Sequence, residues 1–136
     1  MEAKEVLEKI RKLQSMKELE PPEFCEENGY ADILAKSFGK NLKPTQLRKF
    51  FHALKDVQRN LKKQSFDRKG IVKLLPELAY ALGRELIPKQ FYELMKVCLS
   101  AQRLKDDQDF ERVMQFLTAL LAYHKFHEKV KDGGRE

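Results

Sequence analysis

PTQLRKFFHALKDVQRNLKKQ, residues 44–64, carries its apolar side chains at Leu47, Phe50, Phe51, Leu54, Val57 and Leu61. Only a helix turns that three-and-four spacing to one side, and Pro44 suits the helix's first turn, where its missing N–H costs nothing. Taking Leu47 as zero and 100° per residue, the apolar set falls between about 280° and 40°. On the same wheel Arg48, His52, Lys55, Arg59 and Lys62 fall between about 60° and 140°, a cationic row with no acid in it. At 1.5 Å per residue the row is about 21 Å long, enough to follow several phosphates of a nucleic acid strand.

Outward from this helix the same periodicity recurs. Upstream, YADILAKSF (residues 30–38) predicts a short helix with Ile33, Leu34 and Phe38 inward and Gly39 closing it. Residues 3–20 place Val6, Leu7, Ile10, Leu13 and Met16 at helical spacing, and Pro21-Pro22 is expected to end that segment. It reads as an acidic, amphipathic and separable N-terminal extension. Downstream, Asp67 can cap a helix carrying Ile71, Leu74, Leu75, Leu78, Ala79 and Leu82, which stops near Gly83. Pro76 lies inside that pattern and predicts a kink or a short break.

Pro88 then opens a helix with Phe91, Leu94, Met95, Cys98 and Leu99 on one face, expected to run to about Leu104. The acidic group Asp106, Asp107, Asp109 and Glu111 reads as the favourable start of a last helix, whose inward set is Phe110, Val113, Met114, Leu117, Leu120, Leu121 and His124. The fold predicted is all-α, a compact antiparallel bundle of about five helices plus the N-terminal extension. Its divisions are an extension over residues 1–25, the bundle over 26–128 and a flexible tail over 129–136.

Composition agrees. Of 136 residues, 19 are Leu and only 12 are Val, Ile or Thr, so helix formers outweigh strand formers. With 42% hydrophobic and 35% charged residues the chain is too apolar to be disordered and too charged to span a membrane. The N-terminus has no continuous apolar run of signal-peptide length, and the expected compartment is the cytoplasm. Cys25 and Cys98 sit in no metal-binding spacing and are expected as reduced thiols.

The formal charge of +6 is unevenly spread. Residues 1–30 are net −3, whereas residues 40–69 hold ten basic and two acidic residues, net +8. A polyanion is the partner class that such a segment predicts. Lys43, Lys49 and Lys69 join the row as candidate contacts. Lys73, Tyr80 and Arg84 on the following helix form a second constellation, because Tyr can stack on an unpaired base while Arg holds a phosphate. Lys125 and Arg112 on the last helix could extend the surface or be ordinary solvated charges.

Three blocks, Gln46-Leu47-Arg48-Lys49-Phe50-Phe51, Leu78-Ala79-Tyr80-Ala81-Leu82-Gly83-Arg84 and Leu121-Ala122-Tyr123-His124-Lys125, resemble in order and spacing the small subunit of type III-A CRISPR effector complexes, the Csm complexes. The match covers about residues 28–127. The resemblance implies a helical protein without catalytic activity that stacks in several copies along the crRNA and its target RNA. It would sit beside a repeating backbone subunit that cuts the target and a large polymerase-like subunit. Carried over by position, Arg48 and Arg84 are implied RNA contacts, and Tyr80 and Tyr123 match the blocks as groups for stacking or packing.

Catalysis is not expected. His124 and His127 are three apart with only Glu128 nearby, a poor zinc set, and the isolated glycines build no phosphate loop. Neither metal nor cofactor is predicted. Two other readings stay open from the residues: a DNA-binding helix in a major groove, which usually mixes Asn, Gln and Ser with Arg, and a protein adaptor with a basic docking face.

Overall fold

The structure, a computed structural model, describes residues 1–61 and 65–133, with side chains as far as Val130. The chain folds as α1 (Ala3–Arg11), α2 (Pro21–Cys25), α3 (Tyr30–Phe38), α4 (Pro44–Leu61), α5 (Lys69–Val72), α6 (Leu75–Gly83), α7 (Lys89–Cys98) and α8 (Asp107–Gly133), with single 3-10 turns at Met16–Glu18 and Gly39–Asn41. No strand occurs among the described residues, so the fold is all-α as the sequence predicts. Six of these helices have nine residues or more. No described helix is long and apolar enough to cross a membrane.

α8 is the central strut, touching α2, α3, α4 and both 3-10 turns. Its buried residues Phe110, Val113, Met114, Phe116, Leu117 and Leu120 span about 160° of its circumference, wider than one stripe, because partners approach from several sides. Phe116, absent from the predicted inward set, is wholly buried edge-on against Phe24 at 5.5 Å. α4 and α8 run antiparallel. Near the C-terminal end of α4, Gln58 donates to Glu111 in the first turns of α8 at 2.8 Å. At the other end Pro44 shares a groove with His124 and Glu128.

The separable N-terminal extension is corrected. Val6, Ile10, Met16 and Phe24 have no exposed surface and belong to the one continuous core, with α1 against α3 and α7. The segment is also not one helix closed by Pro21-Pro22. α1 ends at Arg11, and the two prolines start α2, where the Glu20 amide donates to the Glu23 carboxylate at 2.9 Å. Proline is favoured in a first turn for the same reason it is excluded from later ones.

The tie between this segment and α8 is polar. Asp109 is fully buried, and one carboxylate oxygen accepts the Ser15 hydroxyl and the Lys17 amide (2.8 Å) while the other accepts the Lys105 amide (2.9 Å). Of the acids read as caps, Asp106 does cap, accepting the Asp109 amide at 2.9 Å. Asp109 instead clasps a segment more than ninety residues away. Lys17 reaches Asp106 at 2.6 Å, and that hydrogen bond holds the Asp106 carboxyl below its ordinary range. Arg112 donates to the carbonyls of Lys17 (2.9 Å) and Leu19 and so is a structural residue, not an extension of a binding surface.

Other boundaries follow local chemistry. The expected break at Pro76 is observed: the pattern splits into α5 and α6, and Pro76 takes the first turn of α6. Asp67 accepts the Lys69 amide at 2.9 Å at the start of α5. α7 stops at Cys98 rather than near Leu104, and the Ser100 hydroxyl donates back to the Val97 carbonyl at 2.8 Å. The predicted tail is corrected too, since α8 continues through residues 129–133. Residues 134–136 lie outside the described residues.

The two thiols differ sharply. Cys25 is exposed, whereas Cys98 is fully buried and its thiol is pushed up to about 12 by burial. Since the thiolate is the reactive form, a thiol reagent added to the folded protein should modify Cys25 alone and reach Cys98 only after unfolding in urea. Peptide mapping that finds both labelled at comparable rates in native buffer would contradict the placement of α7.

Candidate nucleic-acid interface

α4 presents its cations as the wheel requires. Arg48, His52, Lys55 and Arg59 are all exposed on one flank, and Leu47, Phe50, Phe51, Leu54 and Leu61 are buried on the other. Lys62, the predicted last member, lies outside the described residues. From Arg48 to Arg59 the row is about 16 Å long at the rise of an α-helix. The Lys55 ammonium lies over the Phe51 ring at 5.5 Å, and His52 meets the same ring edge-on.

The row is less purely cationic than the wheel suggests. Arg59 is paired with Asp56 at 2.8 Å, one turn back, and Glu111 is held beside Gln58 at the same end of α4. Both partners of the Arg59–Asp56 pair are exposed, so water and salt screen it and its strength is at most modest. The opposite end of α4 has a different surround. Lys36, Lys40 and Lys43, all exposed, converge there on the rim of a groove.

The remaining candidates divide into separate places. α6 meets α4 along Gln46, Lys49 and Phe50, using Glu77, Leu78 and Ala81. On the wheel those α4 positions lie at 200–300°, away from the row at 60–140°. Tyr80, 66% exposed, and Arg84, whose guanidinium sits over the Tyr80 ring at 5.8 Å, thus form a cation–aromatic pair on a different flank. Lys49, Lys69 and Lys73 are exposed. Tyr123 is half-buried, and its hydroxyl donates to the Cys25 carbonyl at 2.7 Å, tying α8 to α2. Lys125 is paired with Glu128 at 3.2 Å.

The histidines of α8 have structural partners. His124 is buried and donates from Nε2 to the Gly39 carbonyl at 2.9 Å. Gly39 has φ +48°, a backbone region that favours glycine, and this turn aims its carbonyl at α8. His127 donates to Asp32, whose other carboxylate oxygen accepts the Asn28 amide at 2.7 Å. Among the described residues no three His, Cys, Asp or Glu side chains gather as a metal set.

A family model described as Csm2 Type III-A matches residues 23–130, most of the chain, from within α2 to the last turn of α8. The chain belongs to the Csm2 type III-A family. A curated Csm2 relative, the Streptococcus thermophilus protein named CRISPR system Cms protein Csm2, is 26% identical over 88 residues, covering 63% of this chain and 73% of the relative. No solved structure matches this Csm2 chain. Csm2 membership bears out the resemblance carried by the three sequence blocks and makes the protein a small subunit of a type III-A CRISPR effector complex. In this Csm2 chain the blocks hold Arg48, Arg84 and Tyr123 in three different settings: an open row, a cation–aromatic pair and an interhelical hydrogen bond.

Sequence reasoning missed Lys36 and Lys40 as parts of a site. The helical periodicity of residues 30–38 was visible, but that Lys36 faces the same groove as Lys43 depends on where α8 passes, which no local pattern encodes.

Proposed function

We propose that this chain is a non-catalytic RNA-binding subunit that stacks in several copies along the crRNA and target RNA of a cytoplasmic type III-A effector complex, beside its backbone and polymerase-like subunits. The exposed row Arg48, His52, Lys55 and Arg59 on one flank of α4 carries the reading. Lysine and arginine at successive turns suit phosphates, which recur along any strand, and contacts to phosphate position a strand without reading its sequence. Binding is thus independent of sequence. The major-groove alternative is less well supported, because the row has none of the Asn, Gln or Ser that read base edges. One copy reaches only a few phosphates, so tight binding needs several copies on one strand.

The test is salt dependence. For a single strand the logarithm of affinity falls by about 0.7 per phosphate neutralised for each tenfold rise in salt. Substituting Arg48, Lys55 and Arg59 together by Ala should reduce that slope by about 2 and weaken binding at low salt, with helix content and melting temperature unchanged, because all three side chains are exposed. A triple variant that binds RNA like the parent across a salt titration, followed by fluorescence anisotropy, removes the row from the interface.

A further inference from the structure

Between the C-terminal end of α3, the Gly39–Asn41 turn, the first residue of α4 and the last turns of α8 lies a groove of about 560 Å³. Its volume is within the roughly 300–1,000 Å³ typical of small-ligand sites. The wall is mostly apolar, with buried Ala35 and Leu42, Pro44 and the half-exposed Val130. The His124 ring forms part of it, fixed by its bond to Gly39. Lys36, Lys40 and Lys43 stand on the rim as exposed cations, and Glu128, paired with Lys125, is the one acid among the described lining residues.

An apolar slot with a cationic rim is complementary to a flat heterocycle that carries a phosphate. A simple anion would leave the apolar wall in water, and an aliphatic chain would leave three lysines without counter-charge. We propose that this groove is a socket for one nucleotide of the RNA strand that follows α4, taking its base between Pro44 and Val130, beside the edge of the His124 ring, and its phosphate among the three lysines. Continuity with the row supports the assignment. Pro44, on the groove wall, falls at about 60° on the α4 wheel, one turn before Arg48 at about 100°, so a strand leaving the row at Arg48 meets the groove next. The Glu128 carboxylate supplies an acceptor for a base N–H or a ribose hydroxyl. The inference rests on the RNA-binding reading and adds what that reading lacks, a contact with a base that is indifferent to which base it is.

The experiment compares oligouridylate with an abasic ribose-phosphate strand of equal length and charge, by anisotropy at low ionic strength. Uracils stack poorly on one another, so a preference for the base-bearing strand reports contact with the protein. The parent should prefer oligouridylate about tenfold, the scale of one base held against a protein surface. Val130→Trp, placed at a position that is 51% exposed so that the fold tolerates it, fills the groove. It should abolish the preference and leave affinity for the abasic strand unchanged. The Arg48, Lys55 and Arg59 triple variant should weaken both strands alike. Equal binding of both strands by the parent, with normal salt dependence, overturns the socket and leaves the row standing, as does a preference that survives Val130→Trp. Failure to bind either strand in a salt-dependent way sinks the row and the socket with it.

Discussion

Asp109→Ala should lower the melting temperature by roughly 10–20 °C, because it strands three donors at once. The side chain is fully buried and accepts from the Ser15 hydroxyl and from the amides of Lys17 and Lys105. A buried donor left without a partner costs about 1–3 kcal/mol, and the part-buried amides of Lys17 and Lys105 stand at the lower end of that range. The three share one site and do not add fully, so a total of about 3–5 kcal/mol is expected. At this chain length each kcal/mol is worth roughly 3–5 °C. Against a usual total of about 5–15 kcal/mol, that is a large share of the protein's stability.

Asp109→Asn provides the control. An amide keeps the shape but offers one acceptor oxygen, so it can serve the Ser15 and Lys17 side or the Lys105 side, not both. It should lose about half as much. Hydrogen exchange distinguishes this account from a general loosening, since the amides of Lys17 and Lys105 should lose protection before those of α4 do. Asp109→Ala melting within about 3 °C of the parent would show that the clasp between the N-terminal segment and α8 contributes little.

That clasp also marks where sequence reasoning stops. α4 was legible because its apolar and charged residues separate cleanly on a wheel, and helices with one buried side always print that pattern. α8 was legible as a helix but not in its burial, since Phe116 lies outside any single stripe and is covered only because α2 brings Phe24 to it. Ser15 and Asp109 are ordinary helix-end residues when read locally, and their meaning arises from a pairing across 94 residues. The cationic row shows the same limit on a smaller scale. Asp56 sits at about 180° on the wheel, outside the row's 60–140°, yet the long Arg59 side chain swings to it at 2.8 Å. A wheel orders Cα positions, and flexible side chains then settle the charge pattern. The groove was not legible at all, because it joins residues 35–44 to residues 124–130.

Phe91→Ala should cost about 4–5 kcal/mol, at the upper end for removing a buried aromatic ring. Phe91 has no exposed surface and is met edge-on by Phe38 of α3 at 5.8 Å and by Phe50 of α4 at 6.3 Å. Such pairs add about 0.5–1.5 kcal/mol beyond burial, and removing one ring deletes both. The neighbours cannot close the gap cheaply, since Phe38, Phe50 and Leu94 are themselves buried parts of three different helices. In urea the midpoint should fall with the slope of the transition unchanged, the signature of lost native stability rather than an altered unfolded state. Phe91→Leu keeps much of the volume and loses the aromatic edges, so a loss of about 1–2 kcal/mol is expected. That variant should bind RNA with the parent's salt slope, because the row is on the far side of α4 from Phe50 and the backbone of α4 stays in place. If Phe91→Ala costs less than about 2 kcal/mol, the three helices do not depend on this ring. The orientation of α4, and with it the direction in which Arg48, His52 and Lys55 face, must then be held by its contacts with α8 and α5.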